Sequence, residues 1–119
     1  MDRKKIQSVK KIIKNDKALN NIFSSIATMA EIVVSGQELL EQKERICTAR
    51  DVASLERAYN DQEQSIDFLG HMVGEFDEMV KRWHDCPEIA LVPDKETLKD
   101  RKSMLDWAKN FLTTAPKTP

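Results

Sequence analysis

The side chains able to bind a metal or move a proton are few and badly placed for either task. His84, Asp85 and Cys86 adjoin one another, and His71 is the only other histidine. His84-x-Cys86 offers two ligands where a structural zinc site needs four, and His71 lies about four helical turns earlier. No metal centre and no cofactor is therefore expected. Ser24-Ser25 has no histidine at an interpretable spacing, the carboxylates stand singly, and no glycine loop suited to phosphate is present. The chain is not expected to be an enzyme. Cys47 and Cys86 suit a reducing compartment, and a hairpin of long helices would hold them on the order of 50 Å apart, far beyond the roughly 6 Å of a disulfide.

Residues suited to binding macromolecules are better represented. Phe68 falls outside the apolar row of its segment, with Met72 and Met79 nearby. A Phe with adaptable methionines marks a contact surface for another protein; the alternative is burial under a later helix. Lys4, Lys5, Lys10, Lys11 and Lys14 form a basic cluster that could meet phosphates. The competing reading is that they neutralise acidic residues of this or another copy, and the segment lacks aromatic and base-reading side chains. Gly70-x-x-x-Gly74 clears a narrow strip on which another helix could lie, unless the two glycines merely loosen their own helix.

The elements that carry these residues are legible from periodicity. Val52, Leu55, Tyr59, Gln62, Ile66, Leu69, Val73, Phe76, Val80 and Trp83 alternate spacings of three and four without a slip. That is the pattern of a long helix with one buried seam. Leu19, Ile22, Ile26, Met29, Val33, Gly36 and Leu40 repeat it in an earlier helix. The two ladders are out of phase by two residues, which on one continuous rod would swing the seam through about 200°. A turn near Thr48–Asp51 resolves the conflict, and those two residues have capping-box spacing. Helices are predicted at about 2–14, 17–47, 52–85 and 95–113. Asn15-Asp16 breaks the first from the second, Pro87 stops the third, Asp94 caps the fourth, and the tail 114–119 frays.

Two long helices joined by a short turn lie antiparallel. Leu40 then faces Tyr59, Val33 faces Ile66, and Leu19 faces Val80. A second row on the third helix, Ala58, Ser65, Met72 and Met79, makes its apolar stripe too wide for a lone hairpin. The expected fold is all-α: an antiparallel long-helix hairpin extended to a three- or four-helix bundle with a coiled-coil-like seam, one domain over 1–119. The first and fourth helices, or a second copy in a homodimer, would cover the wide stripe.

Bulk composition is consistent with this. Charged residues are 33% and hydrophobic residues 40%, with three glycines and four prolines in 119 residues, as in a helical protein. The net charge of -1 makes no global demand for nucleic acid or membrane. Charge is unevenly laid out, with seven Lys/Arg against two Asp in residues 1–17 and twelve acids against four bases in 31–78. The apolar run Ile22 to Val34 is broken by Ser24, Ser25, Thr28 and Glu31, well short of the roughly 20 residues of a membrane span. The basic N-terminus leads into Gln7, Ser8, Lys10 and Lys11 rather than a signal-peptide core, so a cytoplasmic location is expected. The function expected is that of a non-enzymatic protein–protein interaction module, such as an adaptor, chaperone or inhibitor. The alternative is a nucleic-acid-binding accessory protein using the basic first helix.

Overall fold

The turn at residues 48–51 decides the architecture. In the computed structural model, which describes residues 3–84, 89–92 and 94–114, Thr48 is extended (φ -107°, ψ 172°). Its hydroxyl donates to Asp51 Oδ2 at 2.8 Å, its backbone N–H approaches the same oxygen at 3.3 Å, and Asp51 N–H donates to Thr48 O at 2.9 Å. The capping-box pair thus closes a 3-10 turn, Ala49–Asp51, between α2 (Lys17–Arg45) and α3 (Val52–His84). The other helices are α1 (Arg3–Lys14), α4 (Lys95–Lys99) and α5 (Arg101–Thr114). The described residues are all-α, and the molecule is long, 53 × 29 × 22 Å.

α2 and α3 pack antiparallel in the predicted register. The Phe23 and Phe76 rings lie 5.9 Å apart, Asp16 Oδ2 meets His84 Nε2 at 2.9 Å, and Gln62 Nε2 donates to Val33 O at 2.8 Å. Gln62 is the buried polar rung of an otherwise apolar seam. Its amide also reaches Gln37 Oε1 at 3.5 Å, so burial does not leave it unsatisfied. Gly36 makes room for it: a Cβ there would come within 2.6 Å of Gln62 Oε1. That space is what the helix gains for the roughly 1 kcal/mol that a glycine costs it.

The core is built where other helices close over the hairpin. Leu19, Ile26 and Val33 of α2 meet Leu69, Val73, Phe76 and Val80 of α3, all fully or almost fully buried. α5 adds Met104, Trp107, Ala108 and Phe111, and α1 adds Ile6, Val9 and Ile13. Phe111 sits edge-on to Phe23 at 5.5 Å and stacked on Trp107 at 5.0 Å. The wide stripe is therefore partly covered within the chain. Asp16 caps α2 by accepting Leu19 N–H at 3.1 Å, as the Asn15-Asp16 break predicts. By length and composition alone α2 could cross a membrane, contrary to the reading of its run as too interrupted; here it supplies core residues to the bundle.

Three sequence expectations need correction. The segment 95–113 is two helices, because Asp100 is extended (φ -99°, ψ 119°) and caps a new one. Its carboxylate accepts Ser103 N–H at 3.0 Å and Ser103 Oγ–H at 2.6 Å. The α3 ladder is not buried at its ends, since Val52 and Trp83 are about half exposed. α2 stops at Arg45, two residues early, where Ile46 leaves helical geometry. Asp85, Cys86, Pro87 and the tail from 115 lie outside the described residues, as does half of the Cys47–Cys86 question; Cys47 itself is a free thiol.

Candidate functional site

Two surfaces flank the hairpin. On one, α4 crosses α3 over the glycine pair. A Cβ on Gly70 would lie 2.9 Å from Leu98 O, and one on Gly74 would lie 3.4 Å from Leu98 Cδ1. The cleared strip is thus used for close approach, at Gly70 by backbone against backbone. Beside it Asp77 holds the segment that precedes α4, accepting Leu91 N–H at 2.6 Å and Val92 N–H at 3.0 Å. Leu91 O in turn accepts the Trp107 indole N–H at 3.2 Å. One carboxylate and one indole therefore pin the buried Leu91–Val92 dipeptide between α3 and α5. Burial pushes the Asp77 carboxyl up to about 6, against the opposing pull of the two backbone N–H groups and of Lys5. Sequence reasoning missed Asp77, because an acid next to a ladder residue looks like any solvated position.

A groove of about 830 Å³ runs along this side, with His71, Glu75, Asp77, Lys81, Arg82 and Lys99 among its lining. Acids and bases alternate there without a paired nucleophile and base, so its chemistry is that of a charged cleft. Among the described residues His71 pairs along its own helix, with Glu75 at 3.4 Å, while His84 is engaged with Asp16 at the far end of α3. The Asp16 carboxyl is held below its usual range, first by its hydrogen bond from His84 and then by the Leu19 N–H. Among the described residues no three His, Cys, Asp or Glu side chains gather into a group able to hold a metal ion.

The opposite surface carries the predicted contact residues. Phe68 is 53% exposed, so the alternative of burial under a later helix does not hold. It lines a shallow depression of about 350 Å³ with Met72 and with Ser24, Ser25, Thr28 and Met29 of α2. Met72 and Met79 are both partly buried against the core, but Met79 borders the α4-side groove, so the three do not form one patch.

Sequence reasoning overlooked the longer feature of this face. Ile32 and Leu39 of α2, and Ile46 just past its end, are 50%, 60% and 76% exposed. Ile32 and Leu39, seven residues apart, share a helix face, and Ile46 follows at the same spacing where the helix ends. Ser25, one heptad earlier, borders the Phe68 depression, so the row runs from that depression to the hairpin tip. The signal was present as a second heptad row in α2, hidden by attention to the main ladder. Of the basic cluster, Lys4, Lys11 and Lys14 are exposed while Lys5 and Lys10 are half-buried. Comparison with protein-family models, with curated proteins and with solved structures finds no match to this chain.

Proposed function

We propose that the protein is a non-enzymatic interaction module of the cytoplasm, an adaptor, chaperone or inhibitor that docks another polypeptide on the outer face of the α2–α3 hairpin. The observation that carries this reading is the heptad row Ile32–Leu39–Ile46 leading into the Phe68 depression. Several large apolar side chains on one continuous face go beyond the scattered exposure ordinary on a monomer. The partner expected is an amphipathic helix, laid along the row with its own apolar residues at i, i+3, i+4 and i+7.

The test is a photo-activatable cross-linker placed at Ile32 or Phe68 in turn, with a control on the exposed side of α5 at Lys109. Cross-linking to a polypeptide from the hairpin positions and not from Lys109, insensitive to nuclease and to high salt, is the expected result. Equal labelling from all three positions would refute a specific face. The second reading, nucleic-acid binding, is favoured by the exposed line Lys4, Lys11 and Lys14. It predicts binding that falls steeply with salt and disappears on nuclease treatment.

A further inference from the structure

We infer that the groove between α3 and α4 is a binding site for a small organic anion, one with an apolar body and a head of the phosphate or carboxylate type. The inference does not rest on the docking face of the hairpin, none of whose exposed apolar residues lines this groove. The groove volume of about 830 Å³ falls within the roughly 300–1,000 Å³ of small-molecule sites.

Charge selects the sign of the ligand. Four cations line the groove, Lys81 and Arg82 from α3 and Lys95 and Lys99 from α4. All four are exposed, and among the described residues none of them makes an ion pair. The lining acids are mostly engaged. Both oxygens of Asp77 accept backbone N–H groups, from Leu91 and Val92, and Glu75 is met by His71 at 3.4 Å. Glu78 is left to oppose the four cations, and Lys5 of α1 adds positive charge near enough to act on Asp77. Lys95 and Lys99 stand one turn apart on a helix of five residues, a like-charge spacing that destabilises a helix. No ion pair with the rest of the bundle offsets that repulsion among the described residues; a bound anion does.

The floor of the groove selects the body of the ligand. Gly70 and Gly74 let Leu98 settle directly onto α3. Leu98 then forms, with Ala90, Val92 and Met79, an apolar strip between the charged rims. Val92 is buried, and Leu98 and Met79 pack against the core, so this strip is fixed while the lysines above it are free to adjust. Such a site holds an apolar body by contact and a negative head by charge.

Naphthyl phosphate is the probe, with naphthol carrying the body alone and inorganic phosphate the head alone. The three glycines of the chain are built-in reporters in the amide spectrum of a nitrogen-labelled sample. Gly70 and Gly74 line the groove, whereas Gly36 lies against Gln62 within the hairpin. Titration should shift Gly70 and Gly74, leave Gly36 unmoved, and give a dissociation constant on the order of 0.1–1 mM, the range open to so small a ligand. Naphthol and inorganic phosphate should each bind about tenfold more weakly or worse, since each lacks one of the two contacts. Lys95→Glu combined with Lys99→Glu should weaken naphthyl phosphate by about tenfold or more with an unchanged circular dichroism spectrum. Lys81→Glu leaves α4 untouched and should weaken it by about threefold, while Lys109→Glu on the exposed side of α5 should not change it. Naphthol binding as tightly as its phosphate ester would remove the cations from the site, and inorganic phosphate binding as tightly would remove the apolar strip; either overturns the inference. So does a Gly36 shift as large as those of Gly70 and Gly74, affinity unchanged in both groove variants, or no shift at about 5 mM probe.

Discussion

Replacing Asp77 with asparagine should abolish a pH dependence of stability whose size and sign follow from its surroundings. The carboxyl is moved by burial from 3.8 to about 6, and at 1.36 kcal/mol per pH unit the ionised form costs the fold of order 3 kcal/mol near neutrality. Between the two values the native state holds a proton that the unfolded chain has released. Stability from this group therefore rises as pH falls through about 6 and levels off below 3.8. Asp77→Asn cannot ionise. Its amide oxygen can accept from only one of Leu91 N–H and Val92 N–H, and leaving the other unsatisfied costs roughly 1–3 kcal/mol. Near pH 7 the relief of the buried charge offsets that loss, and the variant should differ little from wild type. Near pH 4 no charge remains to relieve, and the variant should be less stable by about 3 kcal/mol more than at neutrality, taken as an upper bound. Urea denaturation of both proteins at intervals between pH 4 and 7.5 reads the difference directly. Contributions from Asp16 and Asp100, whose carboxyls are lowered, occur in both proteins and cancel. Parallel pH profiles, or a wild type that loses stability relative to the variant on acidification, would refute the claim that desolvation outweighs the two hydrogen bonds.

The glycine pair should respond asymmetrically. Gly74→Ala meets Leu98 at ordinary contact distance and should stabilise by up to about 1 kcal/mol through helix propensity, whereas Gly70→Ala collides with a backbone oxygen and should destabilise by about 1–3 kcal/mol as α4 is pushed off; thermal or urea melts decide both, and equal shifts of one sign would show that α4 does not rest on this strip. Trp107→Phe keeps the ring beside Phe111 but deletes the indole donor to Leu91 O, so it should cost about 1–3 kcal/mol and speed amide exchange at residues 91–92; unchanged exchange would release Trp107 from its pinning role. His84→Ala should lower the melting temperature at neutral pH. Because the lowered Asp16 carboxyl contributes stability that is lost as pH falls below its usual range, that deficit should shrink on acidification. A deficit constant with pH would argue against the Asp16–His84 pairing.

The sequence by itself determined the secondary elements and their pairing. Periodicity of three and four is a local consequence of 3.6 residues per turn, so the two ladders, the phase break between them and the Thr48–Asp51 turn were legible without a fold. The antiparallel register followed from the turn, and Phe23 against Phe76 and Asp16 against His84 lie on it. That Phe68 stands off the ladder was legible for the same reason, but whether a later helix covers it was not, and the structure leaves it 53% exposed. Tertiary structure alone decided the rest. Whether Gln62 is a defect or a rung depends on the hole at Gly36 and the carbonyl of Val33, which lie 26 and 29 residues away. Asp77 gains its role only because Leu91 and Val92 return to it from beyond the end of α3, and no periodicity in the 14 intervening steps announces that return. The break at Asp100 was a missed local signal, an aspartate three residues before a serine, overridden in reading by the heptad Leu98, Leu105, Leu112. Periodicity states which residues share a face; it cannot state which faces another element will reach. That is why Val52 and Trp83, perfect members of their ladder, are half exposed, and why Ile32, Leu39 and Ile46 stay outside although α5 reaches Tyr59 of α3 at their level.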